Sequence, residues 1–60
     1  MRREAFVRLL ERHGCYLSRH GKKHDIFYNP VNGRKAPVPR HSEIKNSLCG
    51  LIQKQLGLDD

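Results

Sequence analysis

The stretch Asn29-Pro30-Val31-Asn32-Gly33 constrains this chain more than any other. It separates the β-branched and aromatic run Ile26-Phe27-Tyr28 from the segment Arg34 to Val38. Glycine after asparagine readily supplies the positive φ that a tight connection between antiparallel strands requires, so the middle of the chain reads as a hairpin. The strand before the turn covers about Asp25 to Asn29. The strand after it contains Pro37, which cannot donate to a ladder and therefore belongs at an edge, and Pro39 ends it.

The flanks carry a different period. Between Arg2 and His13, the apolar residues Phe6, Leu9 and Leu10 follow the i, i+3, i+4 spacing of one helical stripe, with Val7 beside it and Gly14 ready to close the helix. Cys15 to Arg19 reads as a strand around Tyr16, and His20-Gly21-Lys22-Lys23 as the turn that follows. Near the other end Ile44, Leu48, Leu51, Ile52 and Leu56 recur at helical spacing, and Gly57-Leu58 has the form of a Schellman ending. We expect a first turn near Ser42 to Lys45 and a regular helix from about Ser47, with Ser42 or Ser47 as the N-cap. The order is α-β-β-β-α. This is an α+β fold with two helices on one face of a three-stranded antiparallel sheet, formed by residues 1–60 as a single domain. A chain of 60 residues buries only about 60% of the surface its unfolded form exposes, so its core is thin.

Charge narrows the function. Twelve Lys+Arg against six Asp+Glu give a formal net charge of +6, which favours a polyanionic partner, nucleic acid first. The basic residues are spread along loops and strands and do not line one face of an amphipathic helix, so a membrane surface is the weaker partner. The apolar stretch after Met1-Arg2-Arg3 is broken by Arg8, too soon for a signal peptide, and the expected location is the cytoplasm. Cys15 and Cys49 lie in apolar patterns and read as buried free thiols rather than a disulfide. His20 and His24 are four apart but span a turn into a strand, where they would not share a helix face. No CxxC or HExxH accompanies them, so no metal or other cofactor is expected, and no small-molecule ligand.

His24 is the strongest candidate for chemistry. Cleaving RNA without a metal needs a group that takes the proton of a ribose 2′-OH near neutral pH, and imidazole fits that task. Lys22, Lys23 and Arg40 would stabilise the negative charge that builds on phosphorus. The bland reading places His24 at the start of a strand on a solvated surface. His41 could protonate the leaving 5′-oxygen, or simply precede the last helix and contact a phosphate or a backbone carbonyl. Arg40 can fork onto a phosphate or stand as a solvated loop cation. Tyr16, Phe27 and Tyr28 could stack bases, although aromatics in the short strands of a small domain are more often core. Tyr28 is the best base-stacking residue if Phe27 points inward, because neighbouring strand residues face opposite sides. His13 and His20 read as surface residues.

Taken in order, these pieces resemble the HicA family of toxins from bacterial toxin-antitoxin pairs. They are the helix ending at Gly14, the histidine ten residues later, the Ile26-Phe27-Tyr28 strand, the Val38-Pro39-Arg40-His41 step and the closing Ile52-Gln53-Lys54-Gln55-Leu56-Gly57-Leu58. The resemblance covers nearly the whole chain. It implies a fold like that of the double-stranded-RNA-binding domain, ribosome-independent cleavage of mRNA, and inhibition by a HicB-like antitoxin. In the family the histidine usually ends a Gly-Ser-His motif; here the corresponding residues are Lys22-Lys23-His24, so the histidine is kept and the small residues before it are not. Only His24 inherits the catalytic role. The rival reading from another class is a non-catalytic RNA-binding module of the double-stranded-RNA-binding type. It would want basic residues spaced along one helix, and the last helix offers only Lys45 and Lys54.

Overall fold

The computed structural model describes residues 1–58. Along the chain it has α1 (Arg3–Arg12), β1 (Tyr16–His20), β2 (His24–Asn29), β3 (Arg34–Pro39) and α2 (Asn46–Gln55). The three strands form one antiparallel sheet in the order β1-β2-β3. The α-β-β-β-α order expected from the pattern is therefore present. Pro37 and Pro39 sit in an edge strand, where a missing N–H costs no ladder bond.

Alternation along β2 decides which side is which. Asp25, Phe27 and Asn29 are buried, whereas His24, Ile26 and Tyr28 face the other way. Phe27 joins Ala36 and Val38 of β3, Phe6 and Leu10 of α1, and Ile44, Cys49, Ile52 and Leu56 in one core, so both helices lie over the same face of the sheet. The opposite face carries no helix. Cys15 and Cys49 are free and buried within this core, and burial pushes both thiols above their ordinary value of 9.0, which suits packing rather than nucleophilic attack.

Both helices end the same way. Past α1 the Gly14 N–H donates to Glu11 O at 2.9 Å and the Cys15 N–H to Leu10 O at 3.0 Å; past α2 the Gly57 N–H donates to Lys54 O at 3.0 Å and the Leu58 N–H to Gln53 O at 2.9 Å. These are paired Schellman closures, and they need the left-handed backbone that Gly14 (φ +86°) and Gly57 (φ +73°) provide. The buried carbonyl of Leu56 is then taken by two side chains, Nδ2 of Asn29 at the end of β2 (2.8 Å) and Nδ2 of Asn32 in the β2–β3 turn (3.0 Å). The hairpin is thereby fastened to the end of α2.

Two expectations are corrected. Ser42 to Lys45 form no helical turn. Arg2 and Glu43 make an antiparallel bridge in which the Arg3 N–H donates to Ser42 O (2.8 Å) and the Ile44 N–H to Met1 O (2.7 Å), and α2 begins at Asn46 with no side-chain cap. An extended segment that pairs with the chain ahead of α1 satisfies its backbone there, so the helix has no reason to start earlier. Leu48 and Leu51, expected in the apolar stripe of α2, are instead exposed, and Cys49 occupies the inward position between them.

Candidate functional site

The site grows out of the β1–β2 connection. Antiparallel pairing sets His20 opposite Asp25 and Arg19 opposite Ile26, with a bulge at Ser18, between Leu17 and Arg19, that shifts the alternation by one residue and so turns Arg19 to the face of Tyr16. The Gly21 N–H donates to His24 O at 2.8 Å and closes the turn. Gly21 is needed here for space. A Cβ on it would stand 2.6 Å from the His24 carbonyl oxygen. Lys22 and Lys23 at the tip are exposed.

His24, first residue of β2, is exposed and points to the helix-free face. It lines an open cleft with Arg19, Lys22 and Lys23, floored by Ile26 and Pro37. The structure therefore brings together three of the residues the sequence singled out, His24, Lys22 and Lys23, and adds Arg19. Tyr28 lies on the same face, two residues beyond Ile26 along β2.

Behind this cleft lies a charged hub that the sequence did not reveal. Asp25, only 7% exposed, accepts hydrogen bonds from Arg3 Nη2 (2.6 Å), His20 Nδ1 (2.8 Å) and Arg40 Nε (2.9 Å). The His20 hydrogen bond, then that of Arg40, pulls the Asp25 carboxyl below its ordinary value of 3.8 against the opposing effect of burial. An ionised Asp25 can only accept, so the His20 Nδ1 carries the proton in this pair. Arg3 also donates through Nε to Pro39 O at 2.9 Å, and Arg40 reaches the Lys22 carbonyl through Nη1 (3.3 Å) and the Gly21 carbonyl through Nη2. One carboxylate thus ties α1, β1, the β1–β2 turn and the segment after β3 to the residue next to His24.

Arg40, read from the sequence as a phosphate ligand, is placed as a brace of the turn that carries Lys22, Lys23 and His24. Its side chain keeps 41% of its surface exposed. His20 ends β1 rather than opening the turn, and its ring is held by Asp25 instead of standing free. His41 lies exposed just past β3, with no hydrogen bond from its ring to another described residue. Strict two-residue alternation from Tyr16 would turn Arg19 toward the core face; the bulge between Leu17 and Arg19 sets it opposite Ile26 instead, and no signal in the sequence marks that bulge. Nor does any point to the Arg3–Asp25 contact, which joins residues 22 apart.

The hub has a pH signature. Because the Asp25 carboxyl titrates lower in the folded chain than in the unfolded one, its contribution to stability is complete above the ordinary value of 3.8 and drains away as pH falls through the lower folded value. Thermal unfolding followed by circular dichroism should show a Tm that falls steeply below about pH 4. Asp25→Asn should have a lower Tm at neutral pH and a shallower acid fall. An unchanged acid profile in that variant would remove Asp25 from the explanation.

The family model described as HicA toxin of bacterial toxin-antitoxin matches residues 3–58. No curated protein and no solved structure matches the chain significantly. Among the described residues no helix is long and apolar enough to cross a membrane. With nearly its whole length covered, the chain belongs to the HicA toxin family of bacterial toxin-antitoxin systems.

Proposed function

We propose that this toxin is a metal-independent endoribonuclease that cuts mRNA in the cytoplasm without help from the ribosome, with His24 as general base. The observation that carries the reading is the exposed His24 ring at the edge of a cleft bordered by Arg19, Lys22 and Lys23. A phosphodiester drawn into that cleft meets cations on one side and an imidazole within reach of the adjacent ribose.

In the proposed reaction the 2′-OH gives its proton to His24 and its oxygen bonds to phosphorus. The P–O5′ bond breaks. The leaving oxygen takes a proton, for which His41, on the segment just beyond the strand paired with His24, is the candidate donor. The products are a 2′,3′-cyclic phosphate and a 5′-OH. Lys22 and Lys23 stabilise the charge on the phosphoryl oxygens, and Arg40 adds its charge while bracing the turn. A HicB-like antitoxin of acidic surface would inhibit by covering this basic edge. The rival duplex-binding reading gains nothing from α2, whose ten residues carry Lys54 as their one cation.

The direct test is the substrate's own hydroxyl. Single-stranded RNA should be cut in the presence of EDTA to fragments ending in 2′,3′-cyclic phosphate, and the same sequence with 2′-O-methyl riboses should survive. Cleavage of the methylated strand would reject the mechanism.

A further inference from the structure

The helix-free face of the sheet holds more than His24. Register sets Tyr16, Tyr28 and Lys35 in one row across the three strands, Arg19, Ile26 and Pro37 in the next, and His24 with Pro39 in the last. Tyr16 is 51% exposed and meets Tyr28 edge-on, with ring centroids 5.5 Å apart and planes at 66°. This pair is not core. It stands on the surface at the far end of the strand that begins with His24.

The charge around it has one sign. Arg19 and Lys35 flank the rings, Lys22 and Lys23 border the far row, and none of the acids among the described residues shares this face. Glu4 and Glu11 belong to α1, Asp25 points inward, and Glu43 pairs with Arg2 at the bridge.

We propose that this face binds single-stranded RNA, stacking bases on Tyr16 and Tyr28 and leading the backbone past Arg19 and Lys35 into the His24 cleft. The proposal rests on the nuclease reading and adds to it the surface that holds the strand beside the reacting nucleotides. An exposed Tyr16 ring and a half-buried Tyr28 ring flanked by cations offer a base a π-face and a phosphate its counter-charge at once. A duplex keeps its bases stacked on one another and can use only the cations, so the rings favour an unpaired strand. Tyr28 lies four positions beyond His24 along β2, about 13 Å. The stacked bases therefore lie outside the nucleotides that react, and they set affinity rather than the rate of the bond-breaking step.

The composition supplies the probe. The chain has two tyrosines and no tryptophan, so its intrinsic emission comes from this pair alone. Titration with a short 2′-O-methyl oligonucleotide, which cannot be cut by the proposed route, should quench that emission, whereas a duplex of the same backbone should leave it unquenched. By fluorescence anisotropy Tyr16→Ala and Tyr28→Ala should each weaken single-strand binding roughly 5- to 100-fold, with Phe at either position restoring it. Circular dichroism of each variant checks its fold, and the wild-type quenching stands even if one variant fails to fold. Single-strand binding without quenching, or duplex binding as tight as single-strand binding, would overturn the proposal. The two readings separate cleanly. A chain that quenches but cuts no RNA keeps the platform and loses the nuclease, and one that cuts a dinucleotide but never quenches does the reverse.

Discussion

His24→Ala should fold, bind RNA and fail to arrest growth. The ring is exposed and makes no hydrogen bond to the described residues, so removing it takes little from the fold, and Tm should stay close to wild type. Cleavage should drop by about 10²- to 10⁴-fold, the range a positioned general base contributes. Single-turnover cleavage of a labelled oligonucleotide measures that loss, and induced expression in cells without the antitoxin measures its consequence. Because Lys22, Lys23 and Arg19 remain, binding to uncleavable RNA should persist. A His24→Ala chain that still cuts RNA at the wild-type rate would remove the imidazole from the mechanism, and one that no longer binds would make it a contact rather than a base.

The second large effect lies in the core. Phe6 is fully buried between α1 and the sheet, and Phe6→Ala should cost about 3–5 kcal/mol. A domain of this size has roughly 3–9 kcal/mol to lose, so the variant should give up a large part of that reserve and unfold at a markedly lower urea concentration. Leu51→Ala, a deletion of similar chemistry at a half-exposed position of α2, should stay within about 0.5 kcal/mol of wild type. Urea unfolding of the two variants compares them directly. Equal losses would mean that the apolar surface of α2 is buried in a way its exposure does not indicate.

The contrast between these two positions also marks what the sequence could convey. Phe6 and Leu10 repeat at helical spacing with a glycine close behind, and every part of that signal lies within one short segment. The hairpin around Asn32-Gly33 was legible for the same reason, since Gly33 adopts the positive φ its type allows. Leu48 and Leu51 satisfied the same periodic rule, yet a three-stranded sheet covers only part of a helix, and spacing alone cannot tell which part. The bridge between Arg2 and Glu43 was out of reach, because nothing near Glu43 indicates that the start of the chain will run alongside it.

The candidate site divides along the same line. Lys22, Lys23 and His24 are consecutive, so a turn and a strand start suffice to place them together. Inward Phe27 and outward Tyr28 followed from alternation. The hub at Asp25 needs three separate segments to converge, and its pairs with Arg3 and Arg40 span 22 and 15 residues. Arg40 therefore read as a free cation, when half of its work is internal. His20 is on the surface as the sequence indicated, and only its tether was missed, for a related reason. Its exposed ring is tethered by a neighbour five residues ahead, and that tether exists only once β1 and β2 have paired.

The narrow place at Gly21 shows how two long cations can stand side by side at the tip of the turn. The turn has one position that must lack a side chain, and in this protein it falls one step before the lysines. Residues 22 and 23 are thus released from any steric duty and are at liberty to vary in charge and length, while position 21 is not. Evolution or a designer could retune the electrostatics of the entrance without moving the imidazole behind it.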